Sequence, residues 1–194
     1  MGSFIGRVLS KVLFFRGGSS YGGRMILDVV IEDARWDAAA LEKQAQEAVS
    51  ATLAYLELED EDWEVTVLGC DDARIADLNA EFREKPKPTN VLSWPAQELA
   101  AAQDGGQPTP PEVDFMGDAA LGDIAISYDT CVKEANLAHK SREDHVRHLL
   151  VHGTLHLLGY DHIRDGDATI METLEVGILG KLGIPDPYII EDGP

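Results

Sequence analysis

Cysteine is scarce in this chain of 194 residues: the two present, Cys70 and Cys131, lie far apart and fit no metal-binding or redox spacing. That excludes a disulfide-stapled scaffold and a thiolate metal knot, and two free thiols in a reducing, cytoplasmic setting are expected. Positive charge is also in short supply, with 16 lysines and arginines against 35 acids and a net charge of −19. Such an exterior repels phosphate and excludes a broad electrostatic nucleic-acid surface, so any polyanion contact has to be local. No internal repeat is present, which excludes a solenoid. A hydrophobic content of 44% with 26% charged residues is that of a soluble globular protein. The length suits one domain, or one domain and a tail, with a substantial core.

What is present is concentrated in eleven residues, His152-Gly153-Thr154-Leu155-His156-Leu157-Leu158-Gly159-Tyr160-Asp161-His162. The three histidines and Gly159 stand in the register of the metzincin zinc motif, H-E-x-x-H-x-x-G-x-x-H. Gly153 replaces the glutamate that serves such proteases as general base. Residues i and i+4 share a helix face, so His152 and His156 can aim at one point. The preceding segment reads as a helix. Ser141 and Asp144 resemble a capping box, and Val146, Leu149, Leu150, Leu155 and Leu158 supply an apolar face. Gly159 is a natural stop because it accepts the left-handed conformation, after which the chain can return His162 to the same metal. A rival triad of His148, His152 and His156 on one straight helix would span about 12 Å of rise, too far for one ion with bonds of about 2.0–2.1 Å. Three histidines with an open fourth position is the pattern of a catalytic zinc site. His139, His145 and His148 are expected to be ordinary helix residues.

On these residues the chain resembles the YbeY family of bacterial endoribonucleases, whose hallmark H-G-x-L-H-L-x-G-Y-D-H is matched throughout positions 152–162. A second matching segment is Arg83-Glu84-Lys85-Pro86-Lys87-Pro88-Thr89-Asn90-Val91-Leu92-Ser93-Trp94-Pro95, with Asn90 where Asp is common and Trp94 where Phe is common. The strand Leu121-Gly122-Asp123-Ile124-Ala125-Ile126-Ser127 and the closing Asp186-Pro187-Tyr188 are also similar. The resemblance runs from about Met25 to the end. It implies that His152, His156 and His162 bind one metal ion, zinc by preference, and that Arg83 is the functional arginine. It implies cleavage of single-stranded RNA, in maturation of the small-subunit ribosomal RNA 3′ end and in ribosome quality control. Partners so implied are ribosomal RNA and the small subunit, with basic ribosomal proteins suited to the acidic exterior and no DNA. Arg83, Lys85 and Lys87 make one short basic loop on an acidic body, where RNA would bind locally and with salt-sensitive affinity.

Residues 1–24 differ chemically from the rest. They carry a charge of +4 against −23 for the remainder. Phe4, Ile5, Val8, Leu9, Val12, Leu13 and Phe15 recur at helical spacing with Arg7 and Lys11 opposite, and a Gly/Ser-rich linker follows. This basic amphipathic stretch suits an anionic membrane surface or a partner's groove, and is too short and too charged to span a bilayer. It makes a poor signal peptide, because Lys11 breaks the apolar run and no small-residue cleavage site follows. An extension ahead of a domain spanning 25–194, with a plausible start at Met25, is the favoured reading. Membrane contact is expected only if the stretch is a native anchor.

Along that domain the periodicities predict strands at Ile26–Glu32, Trp63–Cys70, Val91–Trp94 and Gly122–Ser127. They predict helices at Ala38–Leu56, from an Asp71 cap to Phe82, and at Asp129–His139, Arg142–Leu158 and Asp165–Leu182. Residues 96–115, rich in Gly, Pro, Gln and acids, are expected to be a mobile loop. The fold class expected is α+β: a small four-stranded mixed sheet with five to six helices, the metal site on a C-terminal helix and its following turn.

His152 and Arg83 are the candidate catalytic residues. Arg83 suits a phosphate grip or stabilisation of developing charge. The general base stays open: Gly153 has no side chain for it, Asp161 orients His162, accepts a proton or shapes the turn, and Glu172 and Glu175 read as a solvated helix face. The nucleophile stays open between water and the RNA 2′-OH. Two other functions compete, a non-catalytic ribosome-associated metal-binding factor and a zinc metallopeptidase or other hydrolase. The latter is disfavoured by the missing base at position 153.

Overall fold

The computed structural model describes residues 25–189 apart from Asp60 and Asp118, so the basic leader at 1–24 lies outside the described residues. The elements are β1 (Ile26–Ile31), α1 (Ala38–Tyr55), β2 (Glu64–Cys70), α2 (Asp72–Arg83), β3 (Val91–Pro95), β4 (Ala120–Ser127), α3 (Tyr128–Leu137), α4 (Arg142–Leu157) and α5 (Asp165–Lys181). The sheet order is β1-β2-β4-β3, with β1, β2 and β4 parallel and β3 antiparallel to β4 at the edge. The domain is therefore α+β with a four-stranded mixed sheet and five helices.

Two alternating faces account for the layers. Val65 and Val67 of β2 and Leu121, Ile124 and Ile126 of β4 join the main core with residues of α1, α4 and α5. Leu68, Cys70 and Ala125 point the other way and meet Ile75 and Leu78 of α2. Leu121 and Ile124 share a face across an odd spacing because the β2–β4 register slips by one residue beside Gly122. Gly122 has φ +137, and a Cβ there would stand 2.2 Å from the Trp94 carbonyl oxygen, so only glycine fits this crossing of β3 and β4.

Helix starts follow the sequence signals. Asp37 accepts from Ala40 N, Asp71 from Arg74 N and Ser141 from Asp144 N. Helices α3 and α5 differ: their cap positions, Ser127 and Arg164, make no side-chain cap bond, and α5 is capped from outside. Asp104, from the 96–115 segment, accepts instead from Gly166 N at 2.9 Å and Asp167 N at 3.3 Å. That segment has no regular structure, yet it is tied down rather than free. Gln97 and Glu112 bond each other twice, Gly105 N donates to Asp167, and Arg164 donates to the Ala101 carbonyl. Polar composition suggested mobility; partners distant in sequence anchor the segment.

Helix α4 is the axis of the main core. Val146, Leu149, Leu150, Val151, Gly153, Thr154, Leu155 and Leu157 are all buried, on more than one side of the helix. It packs on α1, α3, α5, β3 and β4. A helix so enclosed holds its side chains in fixed directions, which matters for the two histidines in its last turns. Both cysteines are buried and unpaired. Burial pushes the Cys70 thiol up to about 12 and raises that of Cys131 as well, so neither is a thiolate nucleophile.

Candidate metal centre

Helix α4 ends at Leu157, and Gly159 follows with φ +85, the left-handed stop expected there. A Cβ at Gly159 would also lie 2.7 Å from Leu99, because the 96–115 segment passes directly over the turn. Tyr160 N bonds back to the Leu155 carbonyl and Asp161 Oδ1 accepts from His162 N at 2.7 Å. Asp161 thus shapes the turn that returns His162. The three rings converge, with centroid separations of 4.6, 5.2 and 5.1 Å for the pairs 152–156, 152–162 and 156–162. One nitrogen from each lies within 4.8 Å of the others.

The hydrogen bonds decide which nitrogens are available. His152 Nδ1 faces Glu175 Oε1 at 2.7 Å, and His156 Nδ1 faces the Tyr160 carbonyl at 2.9 Å. Both partners accept, so in the neutral rings both Nδ1 atoms carry the proton and both Nε2 atoms carry a lone pair. Those two Nε2 atoms stand 3.1 Å apart. Two lone pairs facing at that distance repel unless a cation lies between them, and a tetrahedral zinc ion needs ligand nitrogens about 3.3 Å apart. Burial, helped by His152 and His162, holds the His156 pKa down at about 4, which keeps its ring neutral and ligand-ready. The donor set, with the tautomers of His152 and His156, therefore fits one metal ion held by His152, His156 and His162.

Glu175, expected on a solvated helix face, is buried on α5 at 1% exposure. Its Oε2 receives Tyr188 OH at 2.6 Å and faces His148 Nε2 at 2.8 Å. Burial works to raise its pKa, but the hydrogen bonds from His148, His152 and Tyr188 prevail and bring it to about 2. Glu172, by contrast, is exposed. The sequence signal for Glu175 was its place among Met171, Ile178 and Leu179 on the buried side of α5. His148, expected to be an ordinary helix residue, is bound into this network. His145 bonds Glu134 Oε2 at 2.9 Å. His139 lies beyond the end of α3, in a turn with φ +52, rather than in the helix expected.

A cleft of about 600 Å³ opens beside the histidines, bounded by Lys85, Ser93, Gln97, Leu99, Tyr160 and Ile163, with His156 and His162 in its wall. Lys85 brings one cation to it, while Glu98 and Asp161 bring acids. Arg83 is the last residue of α2, and its side chain lies outside the described residues. Glu84 follows in the left-handed conformation, φ 55, and turns the chain toward Lys85. Gly153 is packed against Ile124 and Ser93 of the sheet, where a Cβ would stand 3.1 Å from Ile124 Cδ1 and 3.2 Å from Ser93 Oγ.

Fold and site define a small α+β protein in which one helix, its terminal turn and a buried carboxylate build a three-histidine centre at a cleft wall. The family model described as Endoribonuclease YbeY matches residues 28–183, and the chain belongs to this family. The Endoribonuclease YbeY of Ruegeria pomeroyi is 62% identical over 167 residues, covering 86% of this chain and all of the relative. That of Paracoccus denitrificans is 58% identical over 163 residues, covering 84% of this chain and 90% of the relative. The solution structure of TM1509 from Thermotoga maritima aligns with a TM-score of 0.48 at 19% identity, covering 85% of this chain and all of that one. No helix among the described residues is long and apolar enough to cross a membrane.

Proposed function

We propose that this protein is a zinc-dependent endoribonuclease that cuts single-stranded RNA, acting in the cytoplasm on ribosomal RNA during small-subunit 3′-end maturation and ribosome quality control. The observation that carries the reading is the facing pair of Nε2 lone pairs on His152 and His156, with His162 beside them, in the wall of a cleft that also presents Lys85. The printed names of the relatives supply the reaction class. Zinc held by the three histidines would polarise a phosphoryl oxygen and lower the pKa of water at the site.

The chain's own groups then divide the work. His152, His156 and His162 hold the ion, and as neutral ligands they leave its charge undiminished. Arg83 grips a non-bridging phosphate oxygen, for which the planar guanidinium is suited. Lys85 adds a point charge along the backbone path and gives a contact weakened by salt. A peptidase is disfavoured, because position 153 faces the sheet and offers no base. The acidic exterior limits RNA contact to the cleft and suits basic ribosomal proteins elsewhere.

Metal-loaded protein should be incubated with single-stranded RNA and, separately, with casein. Turnover of RNA that persists through repurification and fails in His152→Ala supports the reading. Metal binding without RNA turnover would make the protein a ribosome-associated binding factor, and casein cleavage would make it a peptidase.

A further inference from the structure

The carboxylate of Glu175 is unusual in its company. It is almost wholly buried, and its partners are two histidines and a tyrosine, with no lysine or arginine pairing with it among the described residues. Burying a carboxylate is costly, and a leucine would serve the α4–α5 contact better if packing were the only demand. Met171, Ile178 and Leu179 already provide that packing. The two oxygens are divided: Oε1 takes the ring of His152, whereas Oε2 takes Tyr188 and His148. One oxygen therefore addresses the metal-ligand candidate, and the other is held in place by two donors from separate elements.

Tyr188 is itself anchored. Its backbone N donates to Asp186 Oδ1 at 2.8 Å, and Lys140 Nζ donates to the Pro187 carbonyl at 3.2 Å. The Asp186-Pro187-Tyr188 turn thus reaches the centre through a defined chain, Tyr188 OH to Glu175 to His152.

We infer that Glu175 is the positioning residue of the histidine centre: it fixes His152 with Nδ1 as donor and Nε2 toward the ion, and Tyr188 and His148 lock its carboxylate in that pose. The inference rests on the metal reading above. A dication on three neutral imidazoles has no charge compensation from its ligands, and a carboxylate one ring away supplies it while raising the basicity of the coordinating nitrogen. Tyr188 and His148 act on the carboxylate rather than on the ring of His152, so their share is geometric and smaller.

The test measures zinc dissociation constants by chelator competition, the visible spectrum of the cobalt-substituted protein, and the melting temperature without metal. Glu175→Gln should weaken zinc binding by about 10- to 100-fold and shift the cobalt spectrum, while the metal-free protein melts no lower than the parent. Glu175→Asp should recover part of the affinity. Tyr188→Phe, which keeps the ring and the carboxylate, should weaken binding by less than Glu175→Gln. Parental zinc affinity in folded Glu175→Gln overturns the inference, as does a lowered metal-free melting temperature with unchanged affinity. Should Glu175→Gln fail to fold, unchanged zinc affinity and cobalt spectrum in both Tyr188→Phe and Glu175→Asp overturn it equally. If the unaltered protein binds no stoichiometric zinc, or His152→Ala/His162→Ala retains it, the metal reading itself fails, a result distinct from these.

Discussion

Gly153 and Ser93 meet across the contact between α4 and the edge strand β3: a Cβ at position 153 would stand 3.2 Å from Ser93 Oγ and 3.1 Å from Ile124 Cδ1. The position that carries the base in a metzincin is here wedged against the sheet. Ser93 Oγ is buried and has no hydrogen-bond partner among the described residues. Gly153→Glu should therefore fail to create a peptidase. It should also destabilise the fold by about 3 kcal/mol or more, through overpacking and a buried charge. Chemical denaturation and a casein assay check both parts.

Metal binding should be visible in stability. One equivalent of zinc should raise the melting temperature, because an ion bound only by the folded state stabilises it by mass action, about 2.7 kcal/mol at 100 times the dissociation constant. A chelator should reverse the rise. Elemental analysis should give close to one ion per chain, and the rise should vanish in His152→Ala/His162→Ala.

Arg83→Ala should leave metal content and melting temperature nearly unchanged and reduce RNA cleavage by at least tenfold, on the order of one lost charge-assisted contact. Arg83→Lys should rescue only partly, since an ammonium lacks the planar fork. Cleavage at the parental rate in Arg83→Ala would make Arg83 an ordinary surface residue.

Asn90 donates through Nδ2 to Glu134 Oε2 at 3.0 Å and accepts Val91 N at 2.7 Å. Asn90→Asp would keep the backbone bond and set two carboxylates together, with His145 as the neighbouring donor. The pair should destabilise by about 1 kcal/mol at pH 8. Like charges raise carboxylate pKa values, so this penalty is present above the raised pKa and disappears as pH falls through it. Urea melts at pH 8 and pH 5 should show the difference.

A chain beginning at Met25 should fold, bind metal and act on RNA as the full chain does. If residues 1–24 are a membrane anchor, the shortened chain should keep activity in solution and lose binding to anionic vesicles. Loss of folding would mean that Phe4, Val8, Val12 and Phe15 pack into the core.

The strands, the helices and the three histidine ligand candidates were legible in the sequence because each is set by local physics. The i, i+4 spacing puts His152 and His156 on one face, Gly159 permits the left-handed stop, and Asp37, Asp71 and Ser141 announce helix starts within a few residues of where they act. Sheet order could not be read this way, since the pairing of β2 with β4 depends on contacts between segments far apart in the chain. Glu175 was misread for the same reason. Its carboxylate gains meaning from His148 and His152 on α4 and from Tyr188 beyond α5. Asp104 looked like part of a loose acidic loop until the fold brought it to the bare amides that open α5. Sequence alone determined which residues can bind a metal. Tertiary structure decided which nitrogens of His152 and His156 stay free for one, because their tautomers are fixed by hydrogen-bond acceptors that only folding brings near.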